Sequence, residues 1–246
     1  MAVKAVVFDW GGTLTPHHTL DLLDLWRAAA RVLAPDRVEE VAQALAAAEL
    51  RWWQEVGVSG RSGTTADVLA AASADTGLDM NAALHDAALD AHLDAWTPHT
   101  IAHPEVVPLL TALRERGIRT GLLSNTHWPR RWHEHWLERD GVIDLIDARV
   151  YTSDLAHTKP HPEAFGAVLG ELGVSAADAV FVGDRPIDDI SGAKAIGMRA
   201  VLVDSSDVPG HPVVPDARIS LVSQVLPLVD GWRQEPAAAR HSRSGR

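Results

Sequence analysis

Residues 5–13 read Ala-Val-Val-Phe-Asp-Trp-Gly-Gly-Thr. The unbroken apolar run Ala5–Phe8 suits a strand buried on both faces, as in a parallel sheet. It stops at Asp9, and Gly11 and Gly12 follow, which let backbone approach a ligand closely. A charged residue beyond a doubly buried strand marks the strand's carboxyl end, where open α/β sheets place their ligands.

Downstream of about Pro104 the same kind of strand recurs, alternating with helices. Helices are expected at 104–116, 129–138, 162–172 and 187–196. Strands are expected at 119–124, 148–152, 179–183 and 200–203. Alternation of this kind implies a parallel sheet covered on both sides. Residues 19–97 differ. Leu20, Leu22, Leu23, Leu25 and Trp26 open a helical pattern. Val38, Val41, Leu45 and Leu50 continue it through 37–56, and 64–76 and 80–96 add two further stretches. Pro35, the Gly57–Gly63 region and Gly77 separate them. The expected architecture is α/β: a Rossmann-like parallel-sheet core from 1–16 and 99–234, interrupted by an all-helical block at 17–98. Residues 235–246 read as a frayed tail.

The composition narrows the function. With 246 residues and 46% hydrophobic content there is ample core for one large domain or a domain plus an insert. The net charge of -11 gives no electrostatic reason to bind nucleic acid. No stretch approaches the roughly 18–20 apolar residues of a membrane span, and the apolar run from Met1 to Phe8 is too short for a signal peptide. There is no cysteine, which excludes disulfides and thiolate metal sites and fits a reducing cytoplasm. A monomer or homodimer is expected. The lysines are Lys4, Lys159 and Lys194 alone, so a lysine in a motif stands out.

Four stretches carry chemistry: Asp9-Trp10-Gly11-Gly12-Thr13, Ser124-Asn125-Thr126, Lys159-Pro160, and Gly183-Asp184 followed by Asp188 and Asp189. In a parallel sheet they converge on one rim. Several carboxylates in one crevice repel unless a cation sits among them. Oxygen ligands without His or Cys favour Mg²⁺. Ser124 offers a hydroxyl and Lys159 a point charge, donors that suit a phosphoryl group in transfer, and aspartates are known phosphoryl nucleophiles.

These stretches, in this order, resemble the four signature motifs of the haloacid dehalogenase superfamily, and the helical block resembles a cap inserted after the first motif. The resemblance implies that Asp9 attacks phosphorus to form an aspartyl-phosphate. It implies Mg²⁺ held by Asp9, the Gly11 carbonyl, Asp184 and Asp189, or Asp188 in its stead. It further implies that Ser124 and the Asn125 amide bind the phosphoryl group, and that Lys159 bridges this group and Asp9. The implied substrate is a small phosphorylated metabolite.

One position departs from the pattern. Most phosphatases of this family carry a second aspartate two residues after the nucleophile, as general acid and base; here Gly11 stands there. Such a group contributes about 10²–10⁴-fold. One reading is a phosphatase that prefers good leaving groups, such as anomeric sugar phosphates, or borrows a proton donor from His17, His18 or His127, whose plain alternative is an exposed loop histidine. Another is a non-catalytic or regulatory binding protein on the same scaffold. A phosphonoacetaldehyde hydrolase needs a cap lysine, and 16–100 contains none. A haloacid dehalogenase would be metal-free and usually lacks the pair Gly183-Asp184. In the helical block, Trp26, Trp52, Trp53 and Trp96 read as core or contact residues, with one of the adjacent Trp52 and Trp53 a candidate for the entrance; Arg27 and Arg51 read as surface charges. Trp128, Trp132 and Trp136 form a packing stripe.

Overall fold

Ala5–Phe8 forms β1, and every residue of it is buried. The computed structural model describes residues 3–17, 20–78, 82–204 and 212–234; the expected tail and His18 lie outside them. After β1 come four helices: α1 (Leu22–Leu33), α2 (Val38–Ser59), α3 (Thr65–Thr76) and α4 (Ala82–Trp96). Then α5 (Val106–Glu115) leads to β2 (Arg119–Ser124), α6 (Arg130–Arg139) to β3 (Ala148–Tyr151), and α7 (Pro162–Leu172) to β4 (Ala179–Gly183). The short α8 (Gly192–Ala195) precedes β5 (Arg199–Val203), and β6 (Ala217–Ile219) and α9 (Val225–Gln234) follow.

The six strands form one parallel sheet in the order β3-β2-β1-β4-β5-β6. The order reverses beside β1, the switch point where such sheets open a crevice at their carboxyl ends. Register fixes what meets there. Phe8 lies level with Leu122 on one side and Val182 on the other. Asp9, Ser124 and Asp184 therefore emerge at the same rim.

Alternate residues bury on opposite faces. Val6, Phe8, Leu122, Val180 and Val182 pack with Leu109, Leu113, Trp136 and Val225. Val7, Leu123, Phe181 and Leu202 pack with Phe165, Val168 and Ala193. The four inserted helices have a core of their own around Trp26, Ala30, Leu45, Leu69 and Ala88. Asp21 caps α1 by accepting the Leu23 N–H at 2.9 Å, and Gly60 ends α2 with φ 67°.

Three elements differ from the sequence pattern. The helix expected at 187–196 splits into a wide turn over Pro186–Ser191 and the short α8. The Arg185 carbonyl accepts from both Asp189 N, at 3.0 Å, and Ile190 N, at 3.3 Å. The Arg185 N–H goes instead to the Asp189 carboxylate at 2.9 Å. The second difference is an added edge strand, β6, whose three residues are too few to show a period, and the third is the helix α9, where the sequence pattern predicts no element.

Candidate active site at the carboxyl ends of the strands

The loop after β1 is a tight hairpin of main chain. The Trp10 carbonyl accepts from the amides of Thr13, Leu14 and Thr15, at 3.3, 2.9 and 3.0 Å. Gly12 has φ 81°, a conformation that favours glycine. A Cβ there would also lie 2.7 Å from Asp184 Cγ. At Gly11 an added Cβ meets nothing within 4 Å, so this position is open toward the cleft.

Lys159 Nζ donates to Asp9 Oδ1 at 2.6 Å and to Asp189 Oδ1 at 2.7 Å, and all three side chains are buried. Asn125 and Lys159 are clamped by reciprocal bonds: Lys159 N donates to Asn125 Oδ1 at 2.8 Å, and Asn125 Nδ2 donates to the Lys159 carbonyl at 3.0 Å. Ser124 is buried beside them. Gly183 lets Asp189 in, since a Cβ at Gly183 would stand 2.6 Å from that of Asp189.

Carboxylate oxygens of Asp9, Asp184 and Asp189 lie within 4.8 Å of one another. Both oxygens of Asp184 are buried without a hydrogen-bond partner among the described residues. Burial, then the charges of Asp9 and Asp189, push the Asp184 carboxyl up to about 7. Burial likewise pushes Asp189 up to about 6, against the pull of Lys159. Burial acts to lower Lys159, but Asp189 and Asp9 outweigh it and hold the ammonium above the ordinary lysine range. Asp188 is not part of the trio; it lines the cleft, 3.9 Å from Arg185. A carboxylate trio with an unpartnered member fits a hard divalent cation. His157, His161 and Glu163 form a second group of possible ligands at the rim, with His157 Nδ1 2.5 Å from Glu163 Oε2.

Two chambers open from this centre. The larger, about 710 Å³, is bounded by Asp9, Lys159, Arg185 and, from α2, Trp53 and Val56. The smaller, about 260 Å³, is lined by Gly11, Trp10, Trp96, His127 and Trp128 among others. Of the four tryptophans in the helical block, Trp53 touches both chambers and Trp96 the smaller. Trp26 is core. Arg27 pairs with Glu39 and Asp24, and Arg51 with Asp75, away from the site. Trp136 is buried, with Trp132 packed against the same core.

The histidines divide. His17 is exposed and borders the smaller chamber. His127 is no exposed loop residue. It is 2% exposed, with Nε2 3.0 Å from Glu49 Oε1 and Nδ1 2.8 Å from Thr65 Oγ1. Glu49 also accepts the Trp26 indole N–H at 2.6 Å. Burial would raise the Glu49 carboxyl, but His127 and its other partners bring it down to about 2. Two further residues of the site, Glu49 and Arg185, belong to none of the four motif stretches as the sequence marks them. Glu49 had a signal: it lies four residues after Leu45, on the stripe that includes Val41 and Leu45. A charge on such a stripe calls for a buried partner.

A family model described as a haloacid dehalogenase-like hydrolase matches residues 3–197. The phosphoglycolate phosphatase of Rhodospirillum rubrum is 33% identical over 209 residues, spanning 81% of this chain and 79% of that protein. A glyceraldehyde 3-phosphate phosphatase of Methanopyrus kandleri is 30% identical over 62% of this chain and 67% of its own. Among solved structures, a HAD phosphatase from Thermococcus onnurineus superposes with a TM-score of 0.64 at 25% identity, covering 94% of this chain and 99% of that one. The 2-haloacid dehalogenase of Pseudomonas syringae pv. Tomato DC3000 gives 0.65 at 26% identity over 93% and 98%.

Proposed function

From the premise that this chain belongs to the haloacid dehalogenase-like hydrolases, we propose that it is a Mg²⁺-dependent phosphatase of a small phosphorylated metabolite, with Asp9 as the nucleophile. The observation that carries this reading is the pair of buried, unpartnered oxygens of Asp184 beside Asp9. A buried carboxylate is stable in such a place only if it is protonated or ligates a cation. This argues for phosphoryl transfer over metal-free dehalogenation, and the curated relatives cited are phosphatases.

Asp9, Asp184, Asp189 and the Gly11 carbonyl would hold the ion. When bound, it neutralises the charge on the phosphoryl oxygens and on the crowded carboxylates. Asp189 is favoured over Asp188 because it belongs to the trio. Ser124 Oγ and the Asn125 N–H would hold two phosphoryl oxygens, and the Lys159 ammonium offsets charge on the third. Asp9 attacks phosphorus as the bond to the leaving oxygen breaks. Water then attacks the aspartyl-phosphate, releasing phosphate and restoring the Asp9 carboxylate. With Gly11 in the acid's place, the leaving oxygen departs with little help.

Residues 17–98 act as a cap on the core made of 1–16 and 99–234, with Trp53 and Val56 facing the reaction centre. No helix among the described residues is long and apolar enough to cross a membrane, and we place the enzyme in the cytoplasm. The test uses an aryl phosphate with Mg²⁺. Wild type should turn over and carry labelled phosphate on Asp9, while Asp9→Asn should be silent yet folded. Equal turnover by wild type and Asp9→Asn, or none by either, would favour the non-catalytic binding protein that Gly11 permits.

A further inference from the structure

His127 stands three residues past Ser124, in the loop that leaves β2. Its two ring nitrogens and its carbonyl all bond to the inserted helices. The His127 carbonyl accepts from Thr65 N at 2.7 Å and from Thr65 Oγ1 at 2.9 Å. Glu49 Oε1 faces Nε2 at 3.0 Å, and Thr65 Oγ1 faces Nδ1 at 2.8 Å. Trp52 and Trp53 stand edge-on to the ring, at 5.1 and 5.9 Å between centroids. Trp53 Nε1 also donates to Glu49 Oε1 at 3.4 Å.

These bonds fix where the ring's hydrogens are. A carbonyl only accepts, so the Thr65 hydroxyl gives its one hydrogen to the His127 carbonyl. Toward Nδ1 the same oxygen is left as an acceptor. Nε2 faces the ionised Glu49 carboxylate, which also only accepts. Both ring nitrogens therefore donate, and the ring is an imidazolium with Glu49 as its counter-charge. The two side chains are 2% and 4% exposed, so this ion pair is buried between the inserted helices and the core.

Charge sets this contact apart from others along the seam. Arg131 and Asp90 also pair across it, but both are exposed, where ion pairs contribute little. Nearer Lys159 the seam is main chain. Ser62 N donates to the Ala156 carbonyl and Thr158 N to the Gly60 carbonyl, both at 2.9 Å. These bonds bracket an antiparallel bridge between Arg61 and His157. Main-chain groups that part into water exchange one partner for another at modest cost. A buried ion pair that loses one member leaves a charge without compensation.

We propose that Glu49 is a positioning residue of this active site. It holds His127, and with it the loop of Ser124 and Asn125, in the phosphoryl-binding arrangement. Glu49 does not touch the phosphoryl group; it acts through His127 and the backbone between. Docking of the helical block and phosphoryl binding then favour each other. The coupling is reciprocal: the factor that docking adds to phosphoryl affinity, a bound phosphoryl group adds to docking. This rests on the phosphatase reading above.

The test reads inorganic phosphate as a competitive inhibitor of p-nitrophenyl phosphate hydrolysis, with the full chain and Mg²⁺. Glu49→Gln keeps an acceptor for the Trp26 indole. It and His127→Gln should each raise the inhibition constant about five- to tenfold, the low end of coupling between sites. Thermal melts check that both are folded at the assay temperature. The double variant has no unmatched charge and should lie closer to wild type than the two single effects multiplied.

A covalent link in place of the ion pair separates positioning from mere stability. Arg61 and His157 oppose each other as a non-hydrogen-bonded antiparallel pair. Such Cα atoms stand about 4.5 Å apart, within disulfide reach, and the chain has no cysteine of its own. In the Arg61→Cys/His157→Cys background, Glu49→Gln should regain phosphate affinity when oxidised and lose it again when reduced. Wild type supplies a measurement that needs no variant: saturating phosphate should slow hydrogen exchange at the Thr65 amide, across the seam. Single variants inhibited like wild type, effects that multiply in the double variant, no recovery on oxidation, or unchanged Thr65 exchange each overturn the positioning role and leave the phosphatase standing. A wild type that does not hydrolyse p-nitrophenyl phosphate overturns both.

Discussion

Gly12 and Asp184 approach so closely that no side chain fits between them: a Cβ on Gly12 would stand 2.7 Å from Asp184 Cγ. Gly12 also has φ 81°. Alanine there meets both obstacles, a left-handed backbone costing roughly 1–2 kcal/mol and a collision with a buried carboxylate. Gly12→Ala should lower the melting temperature and weaken Mg²⁺ binding at least tenfold, read by calorimetry. Unchanged Mg²⁺ affinity would show that Asp184 is not a ligand.

Gly11 has the opposite character, with open space where its Cβ would be. Gly11→Asp should therefore fold normally and supply the missing acid. For alkyl phosphates with poor leaving groups kcat should rise, by up to about 10²-fold. For aryl phosphates it should barely change. The measurement is the dependence of rate on leaving-group acidity, which should be steep in wild type and shallower in the variant. Equal slopes would mean that another group already donates the proton.

Lys159 is the buried cation between Asp9 and Asp189. Removing one member of a buried ion cluster leaves charges without compensation, at a cost of roughly 3–5 kcal/mol. Lys159→Met should lose that much stability in urea unfolding without Mg²⁺ and should have no phosphatase activity. Adding Asp9→Asn to it should restore part of the stability, because one of the repelling charges is gone. A double variant no more stable than Lys159→Met would contradict the electrostatic account.

Two buried histidines make the fold acid-sensitive. Burial, followed by the opposing effect of Glu49, brings His92 down to about 4 from its ordinary 6.5, and burial brings His133 down to about 3. Trp96 Nε1 donates to His92 Nε2 at 3.2 Å, which suits a neutral ring. Because the folded state resists a proton that the unfolded chain accepts, stability is intact above pH 6.5. It falls as pH drops toward 4, by up to about 1.4 kcal/mol per pH unit for each histidine. His92→Gln keeps an acceptor for Trp96 and should lose less stability than wild type between pH 7.5 and 5 in denaturant titrations. Parallel losses in both proteins would remove His92 from the explanation.

The sequence by itself determined the parallel α/β core, the helical interruption and the rim to which Asp9, Ser124 and Asp184 belong. Those features are written in local patterns: doubly apolar runs for buried strands, a three-to-four spacing for helices, and glycines where backbone must turn. The partners of charged groups are not written locally. Lys159 meets Asp9 across 150 positions, and Glu49 meets His127 across 78. Periodicity says which face of an element is apolar, never what will stand opposite a charge on that face. Only the folded chain decided that Asp189, swung inward by the wide turn at Pro186–Ser191, joins Asp9 and Asp184 while its neighbour Asp188 does not. The same is true of His127, whose burial depends on two helices arriving from elsewhere in the chain.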